Sequence, residues 1–247
     1  MRVAAIYDIH GNLPALEAVL DEIREAGVDQ ILVGGDVVPG PMPREALARL
    51  LDVDLPIQFI YGNGEVAVLT ELAGKEPRVP PNFRDVIRWN AQQLADYEKV
   101  LSSWPKTIRL EVPSLGEVLF CHATPQNEND VFTKITPEEW LLPIFQQGKA
   151  NIVVCGHTHM QFDRMIGKTR VANAGSVGMP FGKPDAYWLL LSPNIQLCQT
   201  DYDLVKAAER IRATNYPQAN EFAEHNILQP PSEAEMLEAF AKTELRG

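Results

Sequence analysis

The chain has 247 residues, 45% of them hydrophobic, with 33 acidic against 22 basic side chains and a net charge of −11. That length fits one large domain or a domain with an appendage. The acidity argues against non-specific nucleic-acid binding, which needs clustered Lys and Arg. It would also repel anionic substrates unless bound cations reverse the field locally.

No apolar run approaches membrane-spanning length, and the first residues lack a signal-peptide pattern. A cytoplasmic protein without membrane association is therefore expected. Cys121, Cys155 and Cys198 fit neither a disulfide framework nor a paired-cysteine zinc pattern, and read as small buried hydrophobes.

Residues 2–8 form an apolar, β-prone run that ends in Asp8-Ile9-His10-Gly11-Asn12. Leu16, Val19, Leu20 and Ile23 then recur at helical spacing, predicting an amphipathic helix over 13–26 closed by Gly27. A strand over 30–33 ends in Gly34-Gly35-Asp36, a helix over 43–51 starts with Pro43, and a strand over 57–61 ends in Gly62-Asn63-Gly64-Glu65. This alternation implies a mostly parallel sheet with right-handed crossovers. A Pro-rich loop over 76–82 leads into one long helix over 83–101. Strands over 107–112 and 117–121 form a hairpin, the second running into His122. Thr136 is expected to cap a helix reaching about residue 147. The strand over 152–155 ends in Gly156-His157-Thr158-His159. Four strands follow, over 161–166, 169–173, 186–192 and 195–200, with the loop Asn173-Ala174-Gly175-Ser176-Val177-Gly178 among them. A helix over 204–212 and a less regular linker precede a capping box, Ser232 with Glu235, for a last helix to about residue 245.

The polar residues that end these strands are Asp8, His10, Asp36, Asn63, His122, His157 and His159. Four of the five histidines are in this set, and only His225 lies outside it. Carboxylates and imidazoles gathered at strand ends suit a transition-metal site. Taken singly, each has a plain structural role as a turn residue or a backbone-bonded histidine. The set as a whole favours metal ligation.

In order and spacing these motifs resemble the calcineurin-like metallophosphoesterases, whose pattern runs D-x-H, G-D, G-N-H-D/E, a lone H and G-H-x-H. Here they read Asp8-Ile9-His10, Gly35-Asp36, Gly62-Asn63-Gly64-Glu65, Cys121-His122 and Gly156-His157-Thr158-His159. The first motif and the loop from Asn173 to Gly178 look most like the small bacterial and archaeal phosphodiesterase branch. The resemblance implies a four-layer α/β/β/α sandwich of two mixed sheets flanked by helices. It places the phosphoesterase domain over 1–205 and leaves 206–247 as a helical extension packed on the domain or on a partner.

The resemblance also implies two divalent transition-metal ions (manganese, iron, zinc or nickel). Asp8, His10, Asp36 and His159 would hold the first, and Asp36, Asn63, His122 and His157 the second, with Asp36 bridging. Two ions about 3.5–4 Å apart can share a hydroxide and clamp a phosphoryl group. Asp36, Asn63 and His122 then stand at the catalytic centre, and a small phosphoester, most readily a diester, is the substrate. Asn12, Asn63 and Ser176 are the candidate substrate contacts, although Asn12 serves equally well as a plain helix cap. A homo-oligomer is compatible with this reading.

One position departs from the family pattern. Gly64 stands where the family has a histidine that protonates the leaving group, so general acid assistance, worth about 10²–10⁴-fold, has no evident source. Glu65 could replace it or anchor the loop, and Gly64 could leave room for a bulkier leaving group. Two alternatives stay open: a phosphomonoesterase, and a metal-binding scaffold without turnover, as in a eukaryotic retromer subunit that resembles this fold.

Overall fold

Strand β1 (Val3–Ile6) is wholly buried, and its alternating side chains enter two different cores. Val3 and Ala5, with Tyr7 beyond the strand, face a second sheet; Ala4 and Ile6 face helices. That double burial explains why the strand reads as a continuous apolar run. The structure is a computed structural model and describes residues 1–245.

The first half runs β1, α1 (Leu13–Glu25), β2 (Gln30–Val33), α2 (Pro43–Leu51), β3 (Ile57–Phe59), α3 (Asn63–Leu72), α4 (Arg84–Gln93) and α5 (Glu98–Ser102). The second sheet enters with β4 (Thr107–Val112), β5 (Gly116–Cys121), α6 (Glu138–Gln147), β6 (Ile152–Cys155), β7 (Phe162–Ile166) and β8 (Thr169–Asn173). The chain then returns through β9 (Ala186–Leu191) and β10 (Ile195–Thr200), and ends with α7 (Leu204–Arg212), α8 (Ala219–Phe222) and α9 (Glu233–Phe240).

One sheet has the order β10-β9-β1-β2-β3, the other β4-β5-β6-β8-β7. In each, three adjacent strands are parallel. These are β1, β2 and β3 at one side of the first sheet, with β9 antiparallel to β1 and β10 antiparallel to β9, and β5, β6 and β8 in the middle of the second, with antiparallel β4 and β7 at its edges. This is the expected α/β architecture of two mixed sheets flanked by helices. Between the sheets lies a core that includes Leu32, Phe120, Val154 and Leu189. Outside them, Leu16, Val19 and Ile23 of α1 cover one sheet, and Leu141 and Phe145 of α6 cover the other. The Tyr7 hydroxyl donates to the Val154 carbonyl at 3.1 Å and ties the sheets together across that core. No helix among the described residues is long and apolar enough to cross a membrane.

Three local expectations change. The single helix over 83–101 is broken into α4 and α5, because Arg44 of α2 takes the Gln93 carbonyl at 2.7 Å and Tyr97 bonds back to Leu94 instead. Thr136 does not cap α6, which starts after Pro137. Its hydroxyl accepts from the Thr133 amide and donates to Glu244. The last helix stops at Phe240, and residues 246–247 of the expected extension lie outside the described residues.

Beyond α7, Ala207, Ala208, Ile211, Phe222 and Ile227 share one apolar cluster with Leu13, Met42 and Val86. The segment that includes α7 and α8 is thus packed on α1, α4 and the start of α2. Ile211 is fully buried there. Ile211→Ala is expected to destabilise the protein by about 2–5 kcal/mol. Urea unfolding followed by circular dichroism should show one transition at lower midpoint. A separate early transition for the C-terminal segment would contradict the shared core.

Candidate metal centre

The ends of the parallel strands bring the polar residues together. Asp8 and His10 follow β1, Asp36 follows β2, Asn63 opens α3 after β3, His122 follows β5, and His157 and His159 follow β6. Asp8, His10, Asp36, His157 and His159 all have positive φ, between 47° and 68°. Non-glycine residues enter this region at a cost of order 1–3 kcal/mol each. These tight turns carry both residues of each pair, Asp8 with His10 and His157 with His159, to the end of their sheet.

The backbone holds the turns in register. Asp8 and His10 donate to the carbonyls of Gly35 and Asp36 at 3.1 and 2.9 Å, and Gly156 donates to the His122 carbonyl at 2.8 Å. A Cβ at Gly62 would lie 2.2 Å from Asp36 Oδ1, so only glycine lets β3 approach that carboxylate. Glu65, fully buried, receives the amides of Gly62 at 2.7 Å, Asp36 at 2.8 Å and Val38 at 3.2 Å. It anchors the loops under the site and does not face the cavity described below. Burial and the nearby Asp36 charge push its carboxyl up to about 7, against the three amides that favour the ionised form.

Three imidazoles are fixed by the same device. The Nδ1 of His10, His122 and His159 donates to the carbonyls of Pro39 (3.2 Å), Gly34 (2.9 Å) and Met179 (2.7 Å). A carbonyl only accepts, so Nδ1 carries the proton and Nε2 is free to face the centre. His10 Nε2 and His159 Nε2 stand 3.2 Å apart, and His122 Nε2 is 3.0 Å from Asn63 Oδ1.

Asp8 sits at the middle of this arrangement. Its Oδ2 accepts the His157 amide at 2.8 Å. Its Oδ1 is buried without a hydrogen-bond partner, alone in that respect among the buried side-chain polar atoms of the described residues. His159 Nε2 lies 3.4 Å from Oδ1, and His10 and His122 Nε2 each lie 3.9 Å away. Asp36 spans the cluster: Oδ2 is 3.8 Å from His10 and Oδ1 is 3.6 Å from His122, while Oδ1 also accepts the Gly64 amide at 2.7 Å.

Two tight ligand groups result, Asp8 with His10 and His159, and Asp8 with Asp36 and His122. His157 stands outside both, its ring 5.1 Å from that of His122. An orphaned, buried carboxylate oxygen surrounded by converging imidazole lone pairs fits a divalent cation. The electrostatics agree for two of the imidazoles, whereas His159, which burial lowers, is raised overall by the Asp8 carboxylate. Burial and neighbouring imidazoles push His10 and His157 down to about 3, so both are neutral, as ligands must be. Burial works to raise Asp8, but His159 and the other imidazoles hold it well below the usual carboxylate range. Burial and the Asp8 charge raise Asp36.

The expected substrate contacts fare differently. Asn12 is fully buried: its Oδ1 accepts the Ala15 amide and its Nδ2 donates to the Gly178 carbonyl and the Tyr202 hydroxyl. It is a helix cap, a correction to its expected substrate role. Ser176 is corrected likewise. Its buried hydroxyl donates to the Asp8 carbonyl at 2.7 Å and accepts the Met179 amide at 2.8 Å, so it positions the loop that holds His159. Asn63 does face a cavity of about 410 Å³, together with His10, Asp36, His157 and His159.

His225, which the sequence motifs leave aside, lines that same cavity. Nothing in its sequence neighbourhood marks it. Gly64 also lines the cavity, but its missing side chain leaves no room there: a Cβ would point at the Val38 carbonyl oxygen, 2.1 Å away. The Val38–Pro39 segment occupies the direction a side chain would take.

Comparison with known proteins follows the same line. Residues 1–194 match the sequence profile of the calcineurin-like phosphoesterase superfamily domain. The chain is 28% identical over 239 residues to an uncharacterized protein of Methanocaldococcus jannaschii, covering 87% of this chain and 94% of that one. It is 28% identical over 192 residues to the phosphodiesterase YfcE of Escherichia coli, covering 77% and 87% respectively. Among solved structures, a hypothetical protein of Pyrococcus horikoshii superposes with a TM-score of 0.78 at 18% identity, covering 94% of this chain and 99% of that one. A metallophosphoesterase from Sphaerobacter thermophilus does so with a TM-score of 0.73 at 23% identity, covering 93% and 98%. These two share the fold.

Glu65→Gln would set an amide NH₂ against backbone donors, and is expected to cost about 1–3 kcal/mol in thermal or urea unfolding of the metal-free protein. Gly64→His is expected to lose about 3 kcal/mol through the clash with Val38. It should not raise hydrolysis of a diester with a poor leaving group. A stable, faster variant would show that the loop yields.

Proposed function

From its membership of the calcineurin-like phosphoesterase superfamily, we propose that this hydrolase is a metal-dependent phosphodiesterase working at the Asp8–Asp36–histidine centre. The observation that carries the reading is Asp8 Oδ1, buried, without a partner and faced by three imidazoles. Asp8, His10 and His159 would hold one ion. Asp36, Asn63, His122 and His157 would hold a second, with Asp36 shared, since its two oxygens face His10 and His122 separately. The ions, when bound, would activate water as the nucleophile and draw charge from the phosphoryl oxygens.

The chain's own part is orientation. Three backbone carbonyls keep the Nε2 lone pairs of His10, His122 and His159 on the centre, so the site is organised before any ligand arrives. Asn63 presents its carboxamide at the cavity floor, where it can meet a phosphoryl oxygen or an ion. No imidazole stands at position 64 to protonate a departing alkoxide. That favours esters whose leaving group departs without a proton, and diesters over monoesters. The similarity to a phosphodiesterase of Escherichia coli supports the same preference.

With bis(p-nitrophenyl) phosphate, hydrolysis should depend on added Mn²⁺, disappear with a chelator, and fall by at least about 10²–10³-fold in Asp36→Ala. The diester should be turned over faster than p-nitrophenyl phosphate. Full activity of the Asp36 variant would sink the reading. Two tightly bound metals with no turnover of any ester would favour a scaffold.

A further inference from the structure

The cavity over the centre has two unlike halves. Its floor is the polar set of His10, Asp36, Asn63, His157 and His159; its walls are apolar, with Val79 and Phe83 on one side and Met179, Tyr216 and Phe222 on another. Val79 and Phe83 come from the Pro-rich segment before α4. Tyr216 and Phe222 come from the C-terminal segment, outside the residues 1–194 that match the family. Part of the wall, Tyr216 and Phe222, therefore lies beyond the matched domain that carries the centre. Among the described residues no lysine or arginine lines the cavity, while Glu221 does. The polar groups of the upper wall, Gln218, His225 and Asn226, include no permanent cation.

A phosphoryl group at the floor must extend its ester substituent along these walls. An apolar or aromatic substituent gains by leaving water there, at roughly 25 cal/mol per Å² of buried surface. A second phosphate or a carboxylate on that substituent would lie against apolar walls and near the Glu221 carboxylate, with no lysine or arginine to meet it. Resting on the phosphodiesterase reading above, we infer that the substrate is a phosphodiester with a single negative charge whose ester substituent is a flat apolar or aromatic group. Substrates with a further anionic group are excluded by the walls. The C-terminal segment is thereby a specificity element.

The test compares diphenyl phosphate, dimethyl phosphate and bis(4-carboxyphenyl) phosphate by isothermal titration calorimetry on the Mn²⁺-loaded protein, and by competition against bis(p-nitrophenyl) phosphate. Diphenyl phosphate should bind at least tenfold more tightly than dimethyl phosphate, and the carboxylated diester at least tenfold more weakly than diphenyl phosphate. Phe83 is 42% exposed, so Phe83→Ala tests the wall with little effect on folding. It should remove most of the preference for the diphenyl ester and leave dimethyl phosphate binding unchanged. Val79→Lys should strengthen binding of the carboxylated ester. Equal affinity for the diphenyl and dimethyl esters, with Mn²⁺-dependent turnover intact, would overturn this substrate class and leave the diesterase reading standing. Tight binding of the carboxylated ester to the unaltered protein would overturn the exclusion of charge. Absence of both binding and turnover would overturn the two readings together.

Discussion

The Asp8 carboxylate is the group around which the site half of this protein is arranged. It is fully buried, one oxygen is tied to the His157 amide, and the other is left to the imidazoles of His10, His122 and His159. Burying an ionised oxygen without a partner costs several kcal/mol. The fold accepts that cost because both sheets deliver opposing groups to the same point. His122 and His159 come from one sheet, Asp8 and His10 from the other. The sheets must hold their spacing for the imidazoles to stay within 4 Å of that oxygen, and the Tyr7–Val154 bond and the core around it hold it.

The loops that carry the ligands depend on a second constraint. Five site residues sit at positive φ, where side chains crowd the backbone, so the surrounding contacts must over-determine each turn. Glu65 does part of this by gathering amides from three positions on two loops. Asn12 and Ser176 do another part, from α1 and from the loop before β9. Polar residues near the centre therefore divide into those that face the cavity and those that shape the backbone beneath it. The distinction rests on where each hydrogen bond goes. An Asn at a helix start and a Ser in a Gly-rich loop could have served either purpose by residue type alone.

Above the centre, the cavity is enclosed by segments other than the loops that carry the ligands. The Pro-rich stretch before α4 and the residues between α7 and α9 meet over the cavity, and the apolar cluster of Ile211, Phe222, Leu13 and Val86 fastens the second of them to the body. Discrimination between esters would then reside in parts of the chain separate from those that gather the ligands. Changes in the walls need not disturb the centre, since no wall residue bonds to a ligand through its side chain.

The sequence patterns by themselves determined the β-α-β alternation and the ligand-type residues, while the two-sheet sandwich followed from the resemblance of the motifs to a family. Apolar runs buried on both faces, the stripe of Leu16, Val19, Leu20 and Ile23, and Asp or His directly after strands are local patterns, and local patterns survive folding. It did not reveal that Asn12 and Ser176 point their polar atoms into backbone, that Arg44 divides the helix over 83–101, or that a residue as distant as His225 lines the cavity. Nor did it disclose that Gly64 is enforced by the Val38 carbonyl and does not open space for the leaving group. Each of these depends on which distant segment packs against a residue. Only the tertiary structure brings those segments together.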